Sequence, residues 1–357
     1  MTKKKKILIV GPDLSLHGGV THHVKTLLSS PLSHNYNIDY FKVGRSSNDS
    51  KFMILLRIIL NPFRFLWRLW NFWPDVVHFN PSFDLKSLLR ELNMLALCRL
   101  HRRSAIIQFH GGSLSQILQN NHLPIYLKLI LKWASHIILL TNIQKAPVLK
   151  FCSCSKITVI PNMVDTTQYN QKKIRKDNRF NILYMSKIEF NKGVYDVIDA
   201  IQHVVEQEPN VRFIFAGDGP DKNKLEFLCR ENEYDDFVKF IGYVKNQQKI
   251  DFLSKGDLFL FPSHYNEGMS YALLEAMAAG LAVIATPTGG TVEMIEDNVS
   301  GFLVPVEQPD KLAQAIIALL KNKKKRGKFG KLNRNKVVSE YDIEVVIQKF
   351  IKIYDQF

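Results

Sequence analysis

The chain has 357 residues, too many for one ordinary core and enough for two domains. Its 46% apolar and 23% charged residues exclude a disordered or fibrous polymer. With 48 Lys and Arg against 33 Asp and Glu, a formal charge of +15, it favours anionic partners: nucleic acid, acidic lipid or phosphorylated small molecules.

Lys3 to Lys6 precede Ile7–Val10, an apolar run too short for a signal-peptide core. Arg57, Lys132 and His136 interrupt the best candidates for a bilayer span. The expectation is a cytoplasmic protein, peripheral at the inner face of the cell membrane. The four cysteines, Cys98, Cys152, Cys154 and Cys229, lack the second Cys/His pair of a zinc site and read as reduced thiols.

Short runs rich in β-branched and aromatic residues then alternate with segments of helical period. The first half carries Lys6–Val10, Ile38–Val43, Val76–Phe79, Ala105–Phe109, His136–Leu140 and Ile157–Ile160. The second carries Asn181–Met185, Val211–Ala216, Phe237–Gly242, Asp257–Phe261, Ala282–Thr286 and Phe302–Val304. Runs this short and this continuously apolar predict parallel strands buried on both faces. Val197, Ile198, Ile201, Val204 and Val205 form the apolar stripe of an intervening helix. The fold class is therefore α/β, with two parallel-sheet domains. The seam is expected near Pro161–Lys176, which gives domains 1–165 and 166–340. A last helix, Asp342–Tyr354 within 341–357, is expected to pack back on the first domain.

Between the second and third runs lies Lys51–Trp73. Asn61 and Pro62 read as an N-cap and a first helical position, which predicts two helical pieces. Phe63, Trp67 and Trp70 share a face, with Arg64 and Arg68 beside them and Arg57, Ile58 and Ile59 upstream. Packing on the sheet accounts for part of this segment. Trp67, Trp70 and Trp73 among three arginines also suit a headgroup interface, so an anionic membrane surface is an expected partner.

The most informative stretch follows the run Asp257–Phe261. In His264–Gly280, Glu267 and Glu275 stand with seven residues between them, the first on a loop and the second inside a helix. The amides of Gly268, Met269 and Ser270 fall near the helix start, where unpaired N–H groups and the positive dipole end attract phosphate. Glu267 can accept hydrogen bonds from sugar hydroxyls and Glu275 a pair from a ribose. Solvated surface charge is the plain alternative. Small residues on an otherwise apolar helix favour a buried Glu275, however, and a buried carboxylate needs a partner.

This stretch resembles the Glu-x7-Glu signature of retaining glycosyltransferases of the GT-B fold, family 4. Gly18-Gly19-Val20-Thr21-His22-His23, His110-Gly111-Gly112, Pro161-Asn162-Met163-Val164-Asp165 and Ser186-Lys187 through Lys192-Gly193 resemble further motifs of that family, in order. Gly217-Asp218-Gly219-Pro220 and Thr286–Glu293 do so too. The resemblance implies two Rossmann-like domains with parallel sheets facing across a cleft, a nucleotide-sugar donor carrying UDP, retention of configuration and no metal. It assigns His110, Lys192 and Glu267 to catalysis, and Gly18, Gly19, Lys187, Tyr243, Gly268–Ser270 and Glu275 to the donor. A glycan or polyprenyl-linked acceptor of bacterial surface polysaccharide is the implied co-substrate. One departure stands out: Ser186-Lys187 replaces the family's Gly-Arg, so the planar two-pronged grip of arginine on oxygen is lost.

Cationic side chains and helix amides can stabilise a leaving diphosphate without a metal, and no Asp-x-Asp pattern suits Mg²⁺. His110 reads alone as a turn histidine holding backbone, and through the resemblance as a donor-sugar contact. His22 and His23 compete for one role. Tyr243 reads equally as strand packing or as a base contact. Alternatives carry less: a dinucleotide oxidoreductase needs Gly-x-Gly-x-x-Gly after the first strand, and a nucleic-acid binder lacks any recognition motif here. An epimerase, a phosphorylase or a non-catalytic scaffold does not account for Lys192-Gly193 beside Glu267 and Glu275.

Overall fold

A computed structural model describes residues 4–46, 49–81, 84–111, 123–169 and 178–357. Gly112 and residues 170–176 of the expected seam lie outside the described residues. The chain forms two compact units: Met1–Met163 with Ile343–Phe357, and Val164–Asp342.

Unit 1 holds strands β1 (Lys6–Pro12), β2 (Asn37–Val43), β3 (Val76–Phe79), β4 (Ser104–Gln108), β5 (His136–Leu139) and β6 (Ile157–Val159). They lie parallel in the order β2-β1-β3-β4-β5-β6, with Ile7 of β1 opposite Ile38 of β2 and Val76 of β3. One face of the sheet packs Leu8, Val10 and Val77 against Phe65, Leu69 and Leu95 of the helices Lys51–Phe72 and Leu85–Leu100. The other packs Ile7, Ile9 and Val76 against Val24, Leu27 and the last helix, Ile343–Tyr354, through Val346, Ile347 and Phe350. Alternate strand residues serve opposite faces, which is why these runs are apolar throughout.

Unit 2 repeats the plan. Strands β7 (Phe180–Met185), β8 (Val211–Ala216), β9 (Val238–Gly242), β10 (Leu258–Phe261), β11 (Ala282–Ala285) and β12 (Gly301–Leu303) run parallel in the order β12-β11-β10-β7-β8-β9. Each of the twelve apolar runs is thus a strand. In both sheets the order reverses once, beside β1 in unit 1 and between β7 and β10 in unit 2. Loops leaving the carboxyl ends at such a switch point diverge and leave a crevice, the usual ligand position in this architecture.

One local expectation is corrected. Lys51–Phe72 is a single helix that continues through Pro62, and its cap is Ser50, whose hydroxyl accepts from the Met53 amide at 3.3 Å. Asn61 is instead buried and accepts from Arg64 at 3.4 Å. Proline removes one helical hydrogen bond, a local loss that packing of Phe65 and Leu69 in the core beyond it outweighs. No described helix is long and apolar enough to cross a membrane.

Candidate active site

In unit 2 the two loops at the switch point carry the expected chemistry. After β7, Tyr184 donates from its hydroxyl to the Lys187 and Lys192 carbonyls, at 3.3 and 3.2 Å, and folds the segment into a short 3-10 turn, Phe190–Lys192. Gly193 ends the turn at φ 66°, where a Cβ would sit 1.8 Å from the Pro262 carbonyl oxygen. Only glycine fits so close an approach with that backbone. The turn therefore rests on the loop that follows β10, and His264 N–H donates to the Asn191 carbonyl at 3.0 Å.

That second loop is held from its other side. Thr286 and Thr288 hydroxyls donate to the Ser263 carbonyl at 2.5 and 3.0 Å, and Gly290 N–H donates to the Glu267 carbonyl at 2.9 Å. Gly289, at φ 51°, leaves room for the Glu267 backbone where a Cβ would lie 2.0 Å from its oxygen. Fastened in this way, Lys192 Nζ and Glu267 Oε1 meet at 2.5 Å, with both side chains about one-fifth exposed. Lys192 also stands 5.1 Å from the Tyr265 ring centre. A lysine paired with a carboxylate yet still reached by solvent can exchange that partner for an anionic ligand.

Ser270 caps the helix Tyr271–Ala278, its hydroxyl accepting from the Leu273 amide at 3.5 Å, with Gly268 and Met269 buried just before it. Glu275 is buried and forms an ion pair with Lys249 of the helix Gln247–Leu253. The Tyr169 and Tyr243 phenols are pushed up, first by desolvation and then by the charge of Glu275. Tyr243 is itself more than half exposed. Lys187 is solvent-facing and pairs with Glu189.

In unit 1, Gly18 caps the helix Gly19–Leu28, and open space surrounds the positions a Cβ would take on Gly18 and Gly19. His110 is buried behind β4, its Nε2 3.0 Å from Asn80 Oδ1 and its ring 4.5 Å from that of His23. Burial, followed by repulsion from His23 and His78, holds His110 well below the usual histidine range, so its imidazole is neutral at pH 7. His23 is the buried member of its pair of candidates and His22 the outer one. Among the described residues no three His, Cys, Asp or Glu side chains gather as metal ligands.

Three contributors escape a sequence reading. Lys249 lies 26 residues from Glu275, so no local spacing signals the pair. His264 Nε2 bonds Asp196 at 2.8 Å and its ring meets Phe190 edge-on, tying the second loop to the helix Val194–Gln207. His78, interior to β3, bonds the Tyr354 hydroxyl at 2.7 Å and completes the histidine cluster. A histidine in a fully apolar strand was the one available signal for it.

Comparison with known proteins adds to this geometry. Residues 165–336 match the family described as Glycosyl transferases group 1, and residues 18–168 match Glycosyltransferase Family 4. The phosphatidylinositol N-acetylglucosaminyltransferase gpi3 subunit of Schizosaccharomyces pombe is 32% identical over 204 residues, 56% of this chain and 43% of that protein. The putative colanic acid biosynthesis glycosyltransferase WcaL of Escherichia coli is 28% identical over 251 residues, 68% of this chain and 60% of that one. The chain thus spans about half the length of these two relatives. Among solved structures, Anabaena HepE in complex with UDP superposes with a TM-score of 0.76 at 17% identity, covering 99% of this chain and 100% of that one.

Proposed function

The chain belongs to the family 4 (group 1) glycosyltransferases and has the GT-B fold, and from that premise we propose that it moves a sugar from a UDP-sugar donor to a glycan or lipid-linked acceptor of bacterial surface polysaccharide, with retention of configuration and without a metal. The observation that carries the reading is the Lys192–Glu267 pair at the carboxyl edge of the unit 2 switch point. A donor diphosphate would take Lys192 from Glu267, and the released carboxylate would accept a sugar hydroxyl. As the glycosidic bond breaks, charge grows on the leaving diphosphate. Lys192 and the amides opening the helix Tyr271–Ala278 supply fixed positive charge there, the role a divalent metal takes elsewhere.

Glu275, held by Lys249 deep in the same unit, suits the two hydroxyls of a ribose. A neutral His110 suits a sugar hydroxyl better than a cation would, because it can accept as well as donate. UDP in the HepE complex and the names of the two relatives support the donor and acceptor classes. The test is a panel of UDP- and GDP-sugars, scored for slow donor hydrolysis and then for transfer with lipid extracts, the product anomer being read by NMR. Hydrolysis of one UDP-sugar and a product of the donor's own configuration are expected. Hydrolysis confined to GDP-sugars, or an inverted product, overturns the corresponding part.

A further inference from the structure

The helix Lys51–Phe72 leaves one face uncovered along its whole length. Phe52, Leu56, Leu60, Phe63, Trp67 and Trp70 recur at intervals of three or four residues, and Phe52, Phe63, Trp67, Trp70 and the following Trp73 are each more than half exposed. At 1.5 Å per residue this stripe is about 30 Å long. Soluble proteins rarely leave so long an apolar strip to water, and scattered exposure at helical spacing would not line up this way. The opposite face is satisfied, with Phe65 and Leu69 in the core.

The flanks of the stripe are basic. The helix places Arg57, Arg64 and Arg68 there and carries no acidic residue. On its Leu85–Leu100 side opens a cavity of about 510 Å³ lined by Arg45, Arg57, Lys86 and Arg90, with Asn61 and Leu89. On its β2 side lies a second, of about 690 Å³, lined by Lys42, Arg64 and Arg68 beside Phe63 and Trp67. Several of these cations are committed. Arg57 pairs with Asp49 at 3.0 Å, Arg68 bonds Asp39 at 2.6 Å, and Arg90 pairs with buried Glu91 at 2.8 Å. That corrects the expectation that Arg57, Arg64 and Arg68 reach outward together as headgroup ligands. Arg45 and Lys86, both exposed, have no ion-pair partner among the described residues.

We propose that this face is a bilayer contact: the stripe from Phe52 to Trp73 enters the headgroup region of an anionic membrane, and Arg45 and Lys86 receive lipid phosphate in the adjoining cavity. Charge decides the occupant. An apolar strip alone would accept a second copy of the chain, whereas the cations with no carboxylate partner among the described residues, Arg45 and Lys86 on one flank and Arg64 on the other, would repel their own kind and attract phosphate. The inference does not depend on the transfer reaction.

Flotation of the full chain with vesicles tests it, comparing equal parts phosphatidylglycerol and phosphatidylcholine with phosphatidylcholine alone. Wild type is expected to float with the anionic vesicles only. The variant F63S/W67S/W70S should lose at least tenfold in partitioning, and R45E/K86E about tenfold. All five residues are exposed, and unchanged circular dichroism melting is the control for folding. Equal partitioning by wild type and both variants overturns the proposal, as does equal flotation with neutral vesicles. Suppression by millimolar inorganic phosphate would assign the cavity to the free anion instead. A wild-type dimer in sedimentation velocity, lost in F63S/W67S/W70S and accompanied by no flotation, would assign the stripe to a second copy.

Discussion

The two units handle the ionisable groups of the candidate site in opposite ways. Unit 2 sets opposite charges against each other: Lys192 faces Glu267 at 2.5 Å on half-open loops, and Lys249 faces Glu275 from one helix to another. Unit 1 buries His23, His78 and His110 together and strips them of charge, burial chiefly pushing His23 and His78 down to about 3. A lysine–carboxylate pair is a store of charge that a ligand can draw on by exchange. A buried imidazole offers directional hydrogen bonds with no net charge. The contrast teaches that one chain can place an exchangeable pair of charges and an uncharged hydrogen-bonding cluster on separate units.

The contrast breaks most visibly at Lys192. Lys192→Ala should lower turnover by about 10²–10³-fold, the scale of losing one preorganised group that meets growing negative charge. Steady-state assays on the active donor would settle it, and wild-type turnover would remove Lys192 from the reaction. Next comes the deeper pair. Glu275→Ala should weaken UDP binding by about 1–3 kcal/mol, two modest hydrogen bonds being lost. Calorimetry on that variant, on Lys249→Met and on the double variant should show strong non-additivity, since each change strands the other partner. Unchanged UDP affinity in folded Glu275→Ala would place the ribose elsewhere.

The neutral half is tested by acid. The fold depresses the histidine pKa values, so the folded state favours the uncharged form. Stability from this source is complete above about pH 6.5 and falls as pH drops toward 3, because the unfolded chain takes up protons that the folded chain refuses. Each of His23 and His78 should cost about 1–2 kcal/mol between pH 7 and pH 5. The four tryptophans, Trp67, Trp70, Trp73 and Trp133, all lie in unit 1, so urea titrations followed by their fluorescence report on that unit. A midpoint independent of pH over that range would contradict the neutral cluster. The smallest expected effect is none at all: turnover should survive EDTA. Loss with chelator and recovery with Mg²⁺ or Mn²⁺ would show that the lysines do not suffice.

Much of this was legible in the sequence because its causes are local. Strands buried on both faces need continuous apolar runs, and Glu267 and Glu275 belong to one loop and its helix. What escaped was set by tertiary partners. Lys249 reaches Glu275 only because the fold brings the helix Gln247–Leu253 within one lysine's length of the helix Tyr271–Ala278. His264 is indistinguishable from a solvated loop residue until Asp196 is brought to it. Pro62 read as a boundary because local rules weigh a missing amide heavily, while core anchors further along the same helix overrule it.

The return of the last helix to unit 1 bears on how the chain is made. Val346, Ile347, Phe350 and Tyr354 complete one side of the first sheet, and Tyr354 supplies the hydroxyl that His78 meets. A ribosome delivers them after all of Val164–Asp342, which has its own sheet and core and can close first. Until then Ile7, Ile9 and Val76 have only early partners such as Val24 and Leu27, and the surface that the last helix covers is unfinished. Nascent chains stopped short of residue 343 would therefore carry one finished domain and one adhesive half, and would be the natural clients of a chaperone.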